Sequence, residues 1–96
     1  PLTVEKIIEE VARTYGVSSD DIRSSKRASN ISNARQTAIY IAREITQMSM
    51  TSLGAEFGGR DHSTVVYAIQ QVEKTMKKDA KTKAMIEDII KNIRDR

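Results

Sequence analysis

Apolar residues recur at helical spacing along most of the chain. Between Leu2 and Tyr15 they stand three or four positions apart, which places them on one face of a helix. Thr3 can cap the start of this helix, and Gly16 is a natural end for it. Comparable stripes predict further helices over Asn33–Met48, Thr51–Phe57, Asp61–Lys77 and Ala80–Arg96, with a short one over Asp20–Ser24.

Two of these helices are separated by a tight turn at Gly58 and Gly59. The glycine pair ends the first helix, and Asp61 can cap the second. Gly54 inside the first helix costs about 1 kcal/mol relative to alanine, and close approach of the second helix would explain it. Helix, turn and helix over residues 51–77 is typical of a helix-turn-helix DNA reader, whose second helix enters the major groove.

The inward faces of the two motif helices follow from the same spacing. Leu53 and Phe57 are predicted to face the core from the first helix. The second helix should present an inward stripe, with Ala68 beside it, formed by Val65, Ile69, Val72 and Met76.

The segment from Ser24 to Asn33 has no apolar repeat and is rich in small polar and basic residues. We predict a loop here, with Ser32 or Asn33 capping the next helix. Arg35 and Gln36 then fall in the first turn of that helix, whose free N–H groups favour phosphate.

Composition indicates a folded domain without a recognisable catalytic motif. Ninety-six residues, 39% apolar and 30% charged, suffice for one small core. No strand-like alternation is long enough to matter, so residues 1–96 are predicted to form a single all-α domain of about six helices built around a helix-turn-helix. The chain has no cysteine and one histidine, and it lacks both a GxxxxGK[ST] loop and a nucleophile–base pair. We therefore expect neither a metal site nor an enzyme.

The termini and hydropathy favour a cytoplasmic fragment. No apolar run reaches the length of a membrane span, and no secretory signal is visible. The chain begins at Pro1 without Met, so we expect it to be part of a longer protein.

The net charge of +3 is unevenly distributed. Five basic residues and no acidic one lie between Ile22 and Arg43. Such segregation favours a surface that faces a polyanion, although a solvated charged face would give the same pattern.

The run GGRDHSTVVYAIQQVE, at positions 58–73, resembles the signature of the DnaA family of bacterial replication initiators, in their C-terminal DNA-binding domain. The resemblance extends upstream through Ala42-Arg43-Glu44-Ile45-Thr46 and Ala34-Arg35-Gln36 and covers about residues 1–90. It implies binding of double-stranded DnaA boxes at the replication origin, with the second motif helix in the major groove and the basic loop in the adjacent minor groove.

The resemblance also implies a role for each candidate site residue. Asp61 would accept a hydrogen bond from cytosine N4, although capping alone is the default role of such an aspartate. The basic loop would insert Arg27 into the minor groove, whereas residue type alone makes Lys26 and Arg27 generic phosphate binders. Base-reading residues are thus Arg27, Thr51, Asp61, His62 and Ser63, and phosphate-binding residues are Lys26, Arg35, Gln36, Arg60, Thr64 and Gln71.

Several positions depart from the family pattern. Ser63 stands where the family commonly has threonine, and Thr51 where it often has a proline that touches a thymine methyl. Asn33-Ala34 replaces a common Arg-Pro, and Gln70 and Gln71 replace basic residues. Fewer charges imply fewer released counterions and a gentler salt dependence of binding.

The resemblance sets further expectations. The ATPase would lie in an upstream domain, so this fragment should need no cofactor. It should act as a monomer, cytoplasmic and associated with the nucleoid, and regulatory proteins are expected on the DNA-binding face. Two alternatives stay open: a dimeric helix-turn-helix repressor, and a helical interaction module that docks a partner on Ile86, Ile89, Ile90 and Ile93.

Overall fold

The computed structural model describes residues 2–95, and over that range it contains six α-helices and no strand. This confirms the predicted all-α class. The helices are α1 (Val4–Tyr15), α2 (Ser19–Arg23), α3 (Ser29–Thr46), α4 (Met50–Glu56), α5 (His62–Lys78) and α6 (Ala80–Arg94).

Helix α3 lies at the centre of the fold and contacts each of the other five helices. Its residues Ala34, Ala38 and Ala42 recur every four positions and are fully buried. Their small side chains allow neighbouring helices to approach closely. Around this stripe the core is mainly aliphatic, and Phe57 is its largest fully buried side chain.

Three predicted caps are present. Thr3 accepts a hydrogen bond from the backbone N–H of Lys6 at 3.2 Å, and Gly16 ends α1 in the left-handed conformation with φ of 71°. Asp61 caps α5, because its Oδ1 lies 2.9 Å from the backbone nitrogen of Thr64. Both ends of α1 and the start of α5 are therefore set by local sequence.

Two predicted helix starts are wrong. Helix α3 begins at Ser29 rather than Asn33, and its N-cap Ala28 makes no side-chain cap bond. Burial of Ile31, which is 8% exposed, stabilises the extra turn at the start of α3. Helix α4 begins at Met50 rather than Thr51, because Ser49 caps it. The loop before α3 is consequently shorter than predicted, and Arg35 and Gln36 lie in the second turn of α3.

The inward faces of α5 and α6 differ in detail from the prediction. Helix α5 buries Val65, Ala68 and Val72, whereas Ile69 and Met76 are only partly covered. Helix α6 contacts α1, α3 and α5. Three isoleucines of α6 are almost completely buried there and so offer no free docking face for a partner: Ile86, Ile89 and Ile93.

Candidate nucleic-acid interface

The turn between α4 and α5 is built on two glycines with positive φ, 85° at Gly58 and 78° at Gly59. The backbone N–H groups of Gly59 and Arg60 both donate to the carbonyl of Gly54, at 3.0 and 2.9 Å. Gly54 has no room for a side chain, since a Cβ there would overlap the carbonyl oxygen of Arg60. The close approach inferred from the sequence therefore exists, although the contacting backbone belongs to the turn before α5.

The start of α5 presents four consecutive exposed side chains, Asp61, His62, Ser63 and Thr64. Hydrogen bonds from the Thr64 side chain and backbone lower the pKa of the Asp61 carboxyl group. Asp61 is therefore a carboxylate at neutral pH, fixed at the helix N-terminus. The cap thereby orders the start of α5, where three of the predicted base-reading residues lie: Asp61, His62 and Ser63.

A basic loop, defined here as residues 24–28, connects α2 to α3. Arg35 holds it from the α3 side: Nε donates to the carbonyl of Ile22 at 2.7 Å, and Nη2 donates to those of Asp21 and Lys26 at 3.0 Å each. Arg35 is only 7% exposed. Burial and the nearby charge of Arg60 lower its pKa. Arg35 therefore holds the loop through these hydrogen bonds, and the phosphate contact predicted for it stays a prediction.

Arg60 holds the same loop from the α5 side. Its Nη2 lies 2.6 Å from the carbonyl oxygen of Ser24, and its Nη1 donates to the carbonyl of Phe57. Partial burial lowers the pKa of this guanidinium. The guanidinium group of Arg60 thus joins the loop to the helix-turn-helix, and the phosphate contact predicted for Arg60 stays a prediction.

The two basic side chains within the loop differ in their surroundings. Lys26 Nζ lies 2.8 Å from Asp21 Oδ1, and this hydrogen bond raises the pKa of Lys26. Arg27 is exposed and makes no hydrogen bond or ion pair within residues 2–95. Lys26 is already paired with Asp21, whereas Arg27 is free to extend from the surface.

A groove runs between the basic loop and α5. It is lined by four arginines and by no carboxylate among the described residues: Arg23, Arg27, Arg35 and Arg60. The predicted residues Gln36 and Thr64 line it as well. Such a groove carries a positive potential that attracts polyanions.

Arg23 and Tyr67 also line the groove, and neither was among the site residues predicted from the sequence. Arg23 reaches the groove and pairs with Glu5 at 2.7 Å. Tyr67 is 56% exposed and lies one turn after Ser63 on α5. Tyr67 could have been found from the sequence, because it is an aromatic residue of a motif helix that lies outside the predicted inward stripe.

The other predicted residues lie outside the groove lining. Thr51 is exposed near the start of α4. Gln71 is half-buried and borders a separate depression with Thr75 and Thr82. Asp61, His62 and Ser63 lie at the exposed start of α5, beside Thr64.

Within residues 2–95, no helix has both the length and the apolar character needed to span a bilayer. That part of the chain also holds no group of three or more His, Cys, Asp or Glu side chains placed to bind a metal ion.

Comparison with known proteins gives consistent findings. The family model for the bacterial DnaA protein helix-turn-helix matches residues 4–72. The chromosomal replication initiator protein DnaA of Thermodesulfovibrio yellowstonii is 44% identical over 93 residues, which cover 97% of this chain and 21% of that protein. The corresponding protein of Pelobacter propionicus is 46% identical over 88 residues, covering 92% and 20%.

A solved structure agrees in fold. A crystal structure of a DNA replication initiation factor superposes with a TM-score of 0.86 at 35% identity, and the match covers 96% of this chain and 28% of that one. The chain thus spans about a fifth of the length of the curated relatives it matches.

Proposed function

The chain belongs to the bacterial DnaA helix-turn-helix family, and we propose that it recognises DnaA boxes of the chromosomal replication origin as a sequence-specific binder of double-stranded DNA. Helix α5 enters the major groove and the basic loop enters the adjacent minor groove. The observation that carries this proposal is the groove between these two elements, whose lining within residues 2–95 has four arginines and no carboxylate.

The exposed start of α5 supplies the major-groove contacts. A carboxylate accepts a hydrogen bond from cytosine N4, which suits Asp61, and His62 and Ser63 follow it on the exposed surface. A carboxylate near phosphates is costly unless it pairs with a base donor, so the position of Asp61 favours base reading. Thr51, exposed on α4, supplies a further apolar contact through its methyl group.

Arg27 supplies the minor-groove contact. It is exposed, lacks a partner within residues 2–95, and stands on a loop whose backbone is hydrogen-bonded from two sides. Narrow A·T-rich minor grooves have an enhanced negative potential that attracts arginine. A fixed backbone with a free guanidinium lowers the entropic cost of inserting that side chain.

Phosphate contacts position the domain between these readers. Gln36 and Thr64 line the groove with side chains able to donate to phosphate oxygens. Lys26 joins them, because its exposed ammonium group keeps further donors beside the bond to Asp21. Gln71 lies further along α5. Arg35 and Arg60 add positive charge beneath the groove.

The larger protein defines the setting of this activity. ATP binding and hydrolysis belong to domains outside this chain, so the domain itself binds DNA without a cofactor and without catalysis. It acts as a monomer on an asymmetric box, in the bacterial cytoplasm at the nucleoid. Regulatory proteins that compete with DNA would dock on the groove face.

Dimethyl sulfate footprinting tests the groove assignment, because the reagent methylates guanine N7 in the major groove and adenine N3 in the minor groove. The wild-type chain should protect both positions on a duplex with one box. Arg27→Ala should lose adenine protection and keep guanine protection at saturating protein. Protection of guanine alone by the wild type would contradict the minor-groove role of the loop.

A further inference from the structure

Resting on the proposed function, we propose that Arg60 is a positioning residue, which sets the basic loop and therefore Arg27 at a fixed place relative to α5. This role is an alternative to the phosphate contact predicted for Arg60 from its sequence position. Arg60 would help to set the spacing between the two DNA-reading elements.

The guanidinium of Arg60 bridges two segments that are distant in sequence. One nitrogen donates to Phe57 within the helix-turn-helix, and the other donates at 2.6 Å to Ser24, which is 36 positions away. The planar guanidinium holds its donors in a rigid fork, so both carbonyls are fixed relative to α5. Movement of the loop away from α5 would leave the Ser24 carbonyl without this donor.

The turn is shaped to accept this bridge. A Cβ at Gly58 would overlap the carbonyl oxygen of Arg23 and lie 2.9 Å from Arg60 Nη1. The backbone at the end of α2 therefore packs directly on the backbone of the turn, with the Arg60 side chain beside it. A contact so close leaves the loop little freedom to slide along the turn.

Arg35 secures the other end of the loop through the carbonyl of Lys26. Arg27 follows immediately and stays exposed, without a partner within residues 2–95. The loop backbone is thus fixed while its reading side chain is free. Such preorganisation favours simultaneous entry of Arg27 and α5 into adjacent grooves.

A double-mutant cycle on box affinity separates positioning from direct phosphate binding. The variants are Arg60→Ala, Arg27→Ala and their combination, measured by anisotropy on a box duplex at several salt concentrations. If Arg60 positions Arg27, Arg60→Ala should weaken binding about tenfold in the wild-type background and less than about threefold once Arg27 is alanine. Ile93→Val, at a buried α6 position outside the groove, controls for general loss of stability.

Arg60→Lys provides a second test that separates positioning from direct phosphate binding. Lysine keeps the positive charge but cannot bridge both carbonyls in the fork geometry, so it should bind as weakly as Arg60→Ala. Amide hydrogen exchange without DNA should also be faster at Lys26 in Arg60→Lys than in the wild type. This readout reports the loop directly and needs no binding partner.

The outcomes are distinct. Three results together would overturn the positioning role while box preference remained. Arg60→Ala would lose the same affinity in both backgrounds, Arg60→Lys would keep wild-type affinity, and the salt slope of Arg60→Ala would fall by about one. Unchanged exchange at Lys26 would overturn it as well. A wild-type chain without box preference would instead overturn the proposed function, and the Arg60 proposal with it.

Discussion

Arg60 Nη2 lies 2.6 Å from the carbonyl oxygen of Ser24 and joins the turn before α5 to the basic loop. This bond connects the two elements that we propose to read adjacent grooves of DNA. Backbone carbonyls, rather than acidic side chains, accept the hydrogen bonds of Arg35 and Arg60, so their positive charges stay uncompensated.

Arg35→Ala should lower the free energy of unfolding by about 2–4 kcal/mol, because three carbonyl groups lose a charged donor in a buried place. Urea denaturation measures this directly. Arg27→Ala is the matched control, since Arg27 is exposed in the same loop and should change stability by less than about 0.5 kcal/mol. Full stability of Arg35→Ala together with uniformly weaker DNA binding would contradict this structural role and support the predicted phosphate contact.

Gly54→Ala should destabilise the domain by about 2 kcal/mol or more, although alanine is the better helix former. The added Cβ would overlap the Arg60 carbonyl oxygen and force the turn away from α4. Gly59→Ala offers a comparison at a site with no neighbour within 4 Å, where only its positive φ of 78° is unfavourable. Thermal unfolding should rank Gly54→Ala well below Gly59→Ala; the reverse order would refute the close-packing account.

The helix caps that depend on a few neighbouring residues could be predicted from the sequence. Thr3, Gly16 and Asp61 act within three or four residues of their own positions, and each was predicted from residue type and spacing. The start of α3 was missed because Ala28 carries no capping group, and the buried side chain of Ile31 decided the outcome.

The roles of two arginines could not be predicted from sequence. Besides the Phe57 carbonyl three positions from Arg60, the side chains of Arg35 and Arg60 bind carbonyls 9 to 36 positions away. Such distant contacts exist only after the chain has folded. A basic residue near a candidate DNA surface looks the same in sequence whether it faces phosphate or backbone. The distribution of charge therefore indicated the candidate surface, but it did not distinguish arginines that hold the backbone from arginines that would bind phosphate.

Asp61→Asn should separate capping from base reading. Asparagine caps a helix as well as aspartate does, so stability near neutral pH should be kept. Its amide pairs with adenine, whereas a carboxylate accepts from cytosine, so preference at one box position should shift from cytosine to adenine. Binding to a panel of single-substituted boxes measures the shift. If the base preference across the panel is unchanged, Asp61 caps the helix and does not read a base.

Acid should weaken the start of α5 through the same carboxylate. Bonds from the Thr64 side chain and backbone lower the pKa of Asp61 below its ordinary value of 3.8. A lowered pKa in the folded state means that the stabilisation is complete above about pH 4 and is lost as the pH falls through the folded value. Melting temperatures between pH 7 and pH 3 should therefore fall less steeply for Asp61→Asn than for the wild type. Identical slopes would contradict this contribution.

Fluorescence anisotropy at fixed physiological salt tests the central claim most directly. One labelled duplex carries a single DnaA box, and the other has the same composition in scrambled order. Specific DNA readers prefer their sites by about a thousandfold or more, and the domain should show a preference of that size as a monomer. Equal, strongly salt-dependent affinity for both duplexes would contradict sequence-specific recognition and leave a basic helical domain that binds DNA through phosphates alone.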